Sequence, residues 1–186
     1  MLGYKVLDFG IDSVVCEYND NKVLIFTIDS VKKEFLEYFN KKFVYENSIT
    51  KFLTKTLSKN IKEPFVSKVD VFLMRRGSRV VRGTFSYNTI YDYGKNLNNA
   101  LKKKGYSFDT SFQKRNVKEL ISIVKSIKNK NSIEKRIKKN LIKSLKFYEK
   151  KNFEFEFDIS IEQFMFIDGK LYGTDLIYIT GVYQKR

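Results

Sequence analysis

Histidine and tryptophan are absent from this chain, and cysteine and proline occur once each, as Cys16 and Pro64. Without histidine there is no Ser-His or Cys-His pair, so the common routes to an activated nucleophile are closed. Zinc-ligand spacing, a Walker loop and a Gly-x-Gly-x-x-Gly run are missing as well. One cysteine cannot form a disulfide within the chain, which fits a reducing compartment. Cys16 stands between Val15 and Glu17 in a strand-like stretch, where a buried, inert thiol is the default. No apolar run reaches the roughly 18 residues of a membrane-spanning helix. The first residues lack the apolar segment of a signal peptide. A soluble cytoplasmic or virion-associated protein, neither secreted nor membrane-bound, is expected. No cofactor is expected either.

What the chain does have is length, apolar mass and positive charge. It has 186 residues, 42% of them hydrophobic, enough for one domain with a buried core. Its wealth of Lys, Asn, Ile, Phe and Tyr is the mix that an AT-rich coding genome produces, so part of the lysine excess has a mutational source. The net charge is +15 and uneven. Residues 102–151 hold 17 Lys/Arg against 4 Asp/Glu, or +13, whereas 152–186 hold 3 against 6, or −3. Basicity concentrated in mid-chain says more than a high average.

The patterning predicts an α+β fold: an antiparallel sheet packed by two or three amphipathic helices, with an N-terminal β-hairpin and helices ahead of it. Residues 1–64 form the hairpin-plus-helices region and 65–186 the α+β core, unless all is one domain. Strands flanking Asn19-Asp20-Asn21 predict the hairpin, because Asn and Asp tolerate positive φ. Its second strand, 22–28, is apolar on both faces and is expected to be covered on both sides. Helices are predicted over 30–42, with Val31, Phe35, Tyr38 and Phe39 inward, and over 48–60, ending before Pro64. Strands are predicted over 65–74 and 80–87, and a short helix over 96–104 stopped by Gly105. Asn116 with Glu119, and Asn131 with Glu134, have the capping-box spacing that opens helices over 116–128 and 131–151. Three strands over 153–161, 163–167 and 176–183 close the chain, with turns at Asp168-Gly169 and 173–175.

Several groups of residues are candidates for function. In the long helix, Ile133, Ile137, Leu141, Leu145 and Tyr148 form one stripe. Lys135, Arg136, Lys138, Lys139, Lys143, Lys146 and Lys150 crowd the other side. Like charges at i,i+4 repel, so such crowding suits either an anionic partner or a solvated face. Arg75, Arg76, Arg79 and Arg82 gather around Gly77-Ser78, and guanidinium forks suit carboxylate or phosphate equally. Partner contacts are therefore assigned to Arg75, Arg76, Arg79, Arg82, Lys135, Arg136, Lys139 and Lys143. Glu154, Glu156 and Asp158 alternate along one strand and resemble the metal strands of triphosphate-tunnel enzymes. No second acidic strand completes such a site, so pairing with the chain's own lysines or with a partner is the simpler reading and no metal site is assigned. Tyr87, Tyr91 and Tyr93, placed around a loop, are interface candidates.

The run Phe72-Leu-Met-Arg-Arg-Gly-Ser-Arg79 resembles the Thr-Arg-x-Gly-Ser/Glu-Arg turn of the small lysozyme-like baseplate wedge subunits of contractile phage tails and type VI secretion systems. The order that follows is similar as well: a helix at 132–149, a strand at 153–161 and a last strand at 176–183. Where that family has Glu-Pro-Arg after the helix, this chain has Glu149-Lys150-Lys151. The resemblance spans about residues 65–186. It implies a non-enzymatic structural component, locked among other protein subunits of a large assembly, with the arginines gripping acidic neighbours. The alternative is a nucleic-acid-binding protein, ribosome-associated or a replication accessory, using the lysines of 102–151. A metal-dependent phosphate-handling enzyme is the distant third reading.

Overall fold

Strands β1 (Val6–Phe9), β2 (Ser13–Asn19) and β3 (Lys22–Thr27) run antiparallel in sequence order. The Asn19 side-chain oxygen accepts from the Asn21 amide at 3.0 Å and holds the β2–β3 turn. The expected hairpin therefore forms, but by an Asx turn, since Asp168 alone among the described non-glycine residues has positive φ. The computed structural model describes residues 4–9, 13–28, 31, 35, 38, 44–45, 69–151, 153–173 and 176–182. Val31, Phe35 and Tyr38 are helical and Phe35 is buried, as the 30–42 pattern predicts. Phe39, the helix over 48–60 and Pro64 lie outside the described residues.

The sheet is completed by β4 (Val44–Tyr45) and β5 (Asp70–Arg75), in the order β1-β2-β3-β5-β4. Central β3 pairs with both β2 and β5. Its side chains alternate into two cores. Leu24 joins Cys16, Val71 and Leu73 on one face, and Val23 and Ile25 join Phe72 and Met74 on the other. A strand apolar on both faces is thus buried on both, as expected.

The chain divides into two compact units, Met1–Arg76 and Gly77–Arg186. The boundary expected after residue 64 falls outside the described residues. Strand β5 pairs with β3 along its whole length and so belongs to the N-terminal sheet.

The second unit opens with β6 (Ser78–Arg79). The strand predicted over 80–87 is instead a turn and the start of a helix. Gly83 takes φ +81, Thr84 caps by accepting from the Tyr87 amide, and α1 (Phe85–Lys102) follows. Ile90, Tyr93, Leu97 and Leu101 are its buried stripe, so the helix predicted over 96–104 is only its end. Gly105, at φ +79, lies just beyond. Helix α2 (Val117–Ser126) buries Val117, Leu120, Ile123 and Val124. Its capping differs from expectation. The Asn116 side chain accepts from the Gln113 amide, and Glu119 accepts from the Tyr106 hydroxyl.

Helix α3 (Ser132–Tyr148) begins as its sequence indicates. The Asn131 side chain accepts from the Glu134 amide at 2.9 Å, and the Glu134 carboxylate reaches back to the Lys130 amide. The stripe Ile137, Leu141, Leu145 and Tyr148 is buried. After it come β7 (Phe153–Phe157), β8 (Phe164–Ile167), β9 (Lys170–Gly173) and β10 (Ile177–Val182). Strand β9 was not expected. It pairs with β8 through a two-residue turn in which Asp168 and Gly169 both take positive φ, at 51° and 69°. Strand β6 pairs with β8 on the other side, and β7 pairs with β10. Ile161 and Gln163, at the ends of two predicted strands, lie with Glu162 in a 3-10 turn. The architecture is α+β: antiparallel sheets with three described helices and an N-terminal hairpin.

Candidate functional site

The four clustered arginines do not share one fate. The Arg76 guanidinium donates to Glu17 Oε1 at 2.7 Å, and its amide donates to the Asn21 carbonyl at 2.8 Å. Lys5 reaches the other Glu17 oxygen at 3.7 Å. Glu17 therefore answers Arg76 within the chain, and the pair clasps the end of β5 to the β2–β3 hairpin. Arg75 sits half-buried at the end of β5. Arg79 lies in β6, opposite Met165 of β8, and is exposed. Arg82 is exposed in the turn before α1. Arg75 and Arg76 belong to one unit, and Arg79 and Arg82 to the other.

Among the described helices, α3 carries the largest set of outward cations. A helix advances about 100° per residue. Lys135, Lys139 and Lys146 therefore stand opposite the stripe of Ile137, Leu141, Leu145 and Tyr148, and all three are exposed. None of the three pairs with a carboxylate among the described residues. Lys143 is half-buried beside them. Partial burial first, and the neighbouring Lys139 charge second, lower its ammonium below the ordinary lysine value.

Two cations of the same helix have internal tasks. The Arg136 guanidinium lies over the Tyr172 ring, 5.8 Å from its centroid. The Lys138 ammonium donates to the Lys125 carbonyl at 2.7 Å and also to the Ile127 carbonyl. It thereby satisfies carbonyls at the C-terminal end of α2, where four have no partner within a helix. Sequence spacing marks Lys138 as one more surface lysine. Only the packing of α2 on α3 shows otherwise.

The acidic strand is organised by neutral donors. Glu154 accepts from Gln113 Nε2 at 2.9 Å, and Asp158 from Gln163 Nε2 at 2.7 Å and from the Ser160 amide. Glu156 accepts from the Tyr178 hydroxyl, which stands opposite it on β10. The hydrogen bond to Glu156, then desolvation, then the charges of Glu156, Asp158 and Asp109 push the Tyr178 phenol up to about 12. The expected lysine partners do not appear for Glu156 and Asp158 among the described residues. Among those residues, no three His, Cys, Asp or Glu side chains gather as a metal site would.

The tyrosines expected around a loop lie on α1 instead. Tyr93 is wholly buried, while Tyr91 is 64% exposed. Val81 and Phe85, within the stretch predicted as a strand, are 66% and 68% exposed. The signal for α1 was Gly83-Thr84, a glycine before a good N-cap residue. Cys16 is buried in the N-terminal sheet, and burial raises its thiol. No described helix is long and apolar enough to cross a membrane. In comparisons with known proteins, no family model, no curated protein and no solved structure matches the chain.

Proposed function

We propose that this protein is a non-enzymatic assembly component, of the phage virion or tail-baseplate kind, that docks onto neighbouring protein subunits. The docking surface is the outer face of α3, Lys135, Lys139 and Lys146 with Lys143 beside them, and the exposed Arg79 and Arg82 of the β6–α1 segment offer further contacts. One observation carries this reading. The exposed lysines of α3 point directly away from its core stripe and have no carboxylate partner among the described residues. Lys135–Lys139 and Lys139–Lys143 are i,i+4 pairs of like charge, each costing a few tenths of a kcal/mol in isolation. An acidic partner converts that repulsion into attraction.

The test is incorporation. The pair of changes Lys135→Glu and Lys139→Glu should leave far-ultraviolet circular dichroism unchanged. It should remove the protein from the large particle with which the wild type is expected to co-sediment. Undiminished co-sedimentation of the variant would overturn the reading.

A nucleic-acid partner is the second reading, and one observation favours it. Phe85 and Tyr91 are exposed on α1, a few residues from Arg82, and flat aromatic faces beside cations are what single strands stack on. It requires retention on heparin and on RNA or DNA at ~0.1 M salt, falling steeply as salt rises. A protein that passes through both has no such role.

A further inference from the structure

The β7–β10 sheet and helix α3 form two layers of the C-terminal unit, and their outer faces carry opposite signs. Phe155 and Phe157 point inward from β7 and are buried. Alternation turns Glu154, Glu156 and Asp158 to the other face, with Tyr178 of β10 among them, 44% exposed. On the inner face the Tyr148 ring of α3 lies 5.3 Å from the Phe155 ring, and its hydroxyl reaches the Ile177 carbonyl. The last turn of α3 thus packs on the inside of this sheet. The exposed lysines of α3 and the sheet's outward carboxylates both turn away from that contact.

The separation is not for want of cations. The unit Gly77–Arg186 holds 23 Lys/Arg against 11 Asp/Glu. Yet Glu156 and Asp158 are held by Tyr178, Gln163 and a backbone amide, and no lysine pairs with them among the described residues. The repeats of the two faces also match. Alternate residues on a strand are about 6.6 Å apart, and residues four apart on a helix about 6 Å. A row of lysines at i,i+4 can therefore meet a row of carboxylates at i,i+2. Tyr178, in the middle of that row, offers an aromatic face to an arriving ammonium.

We infer that a second copy of this chain docks on the outer face of the β7–β10 sheet, its α3 lysines against Glu154, Glu156 and Asp158, so that copies join head to tail. This rests on the assembly reading and names the neighbour. The two patches differ, so the contact is heterologous and builds a ring or an open filament. Overall positive charge opposes the approach at low salt. At ~0.15 M the screening length falls to about 8 Å, short enough to leave the facing rows in command.

Charge exchange on the full-length protein tests this by sedimentation velocity at ~0.15 M salt. Wild type should associate with rising concentration. Lys135→Glu with Lys139→Glu should weaken association at least tenfold, and so should Glu154→Lys with Glu156→Lys. An equimolar mixture of the two variants should recover it, because each supplies the face that the other has lost. If the sheet variant does not fold, Glu156→Gln with Asp158→Asn, which keeps the shape of both side chains, must still weaken self-association in a chain that remains folded by circular dichroism. A wild type that stays monomeric, or association indifferent to both reversals, overturns the inference. If the wild type is monomeric but the lysine variant still drops out of the particle, the assembly reading stands and the neighbour is another protein. If incorporation also survives the lysine changes, both readings fall.

Discussion

Met1–Arg76 sets 13 Lys/Arg against 10 Asp/Glu, a net of +3, whereas Gly77–Arg186 sets 23 against 11, a net of +12. The difference in use is larger than the difference in number. In the first unit Glu17 takes Arg76 on one oxygen and Lys5 on the other, so the prominent arginine of the Arg-Arg-Gly-Ser-Arg run helps hold a hairpin together. In the second unit Lys135, Lys139 and Lys146 are exposed and meet no carboxylate among the described residues. Even neighbours diverge. Lys138 closes the end of α2, while Lys139 touches no carboxylate among the described residues. A cation's meaning lies in whether the fold has already supplied its partner.

That contrast can be broken or sharpened by substitution. The largest effect is expected where both layers of the second unit meet. Phe155→Ala, at a wholly buried ring between Phe112 and Tyr148, should cost about 3–5 kcal/mol in chemical denaturation. A loss below ~1 kcal/mol would mean that the sheet and α3 are not packed as described. Next come the adjacent lysines. Lys138→Ala should cost about 1 kcal/mol, by leaving the Lys125 and Ile127 carbonyls without their donor. Lys139→Ala should cost nothing, or gain a few tenths of a kcal/mol as repulsion with Lys135 and Lys143 is relieved. Equal losses at the two positions would erase the distinction between structural and outward cations.

Arg76→Ala should cost about 0.2–1 kcal/mol, and less at high salt, because its side chain is 40% exposed. The smallest effect is a titration. The ordinary tyrosine value is near 10 and the folded Tyr178 phenol is held up to about 12, so the folded state favours the protonated form. Whatever stability this pairing gives is fully present below pH ~10 and is lost as pH rises toward 12. In an ultraviolet titration, Glu156→Gln should return this late phenol toward the ordinary range, and Tyr178→Phe should delete it.

Local chemistry was legible where one or two residues decide the outcome. Asn131 with Glu134 marked the start of α3, and Asp168-Gly169 marked a tight turn, because each works through its own backbone. The apolar run of β3 marked a strand covered on both faces. Helix α1 was not legible. Val80-Val81 and Phe85-Ser86-Tyr87 read as β-branched and aromatic strand formers, and Asn88, Asn96, Asn98, Asn99 and Gly94 lower helix propensity through the rest. Tertiary burial of Ile90, Tyr93, Leu97 and Leu101 overrides those preferences. The candidate surface was legible as a list of lysines and not as a face. Spacing identifies Lys135, Lys139 and Lys143, but cannot tell that Arg136 lies over Tyr172 or that Lys138 reaches α2. Those contacts join residues far apart in the chain.

Lysines on the outer face of α3 and carboxylates on the outer face of β7 give this pair of elements an electric axis. A body with such an axis rotates in a field before it makes contact. Near a negatively charged surface it is turned helix-first while still some distance away, so orientation precedes recognition. Reversing the sheet charges would leave the attraction and remove the aim.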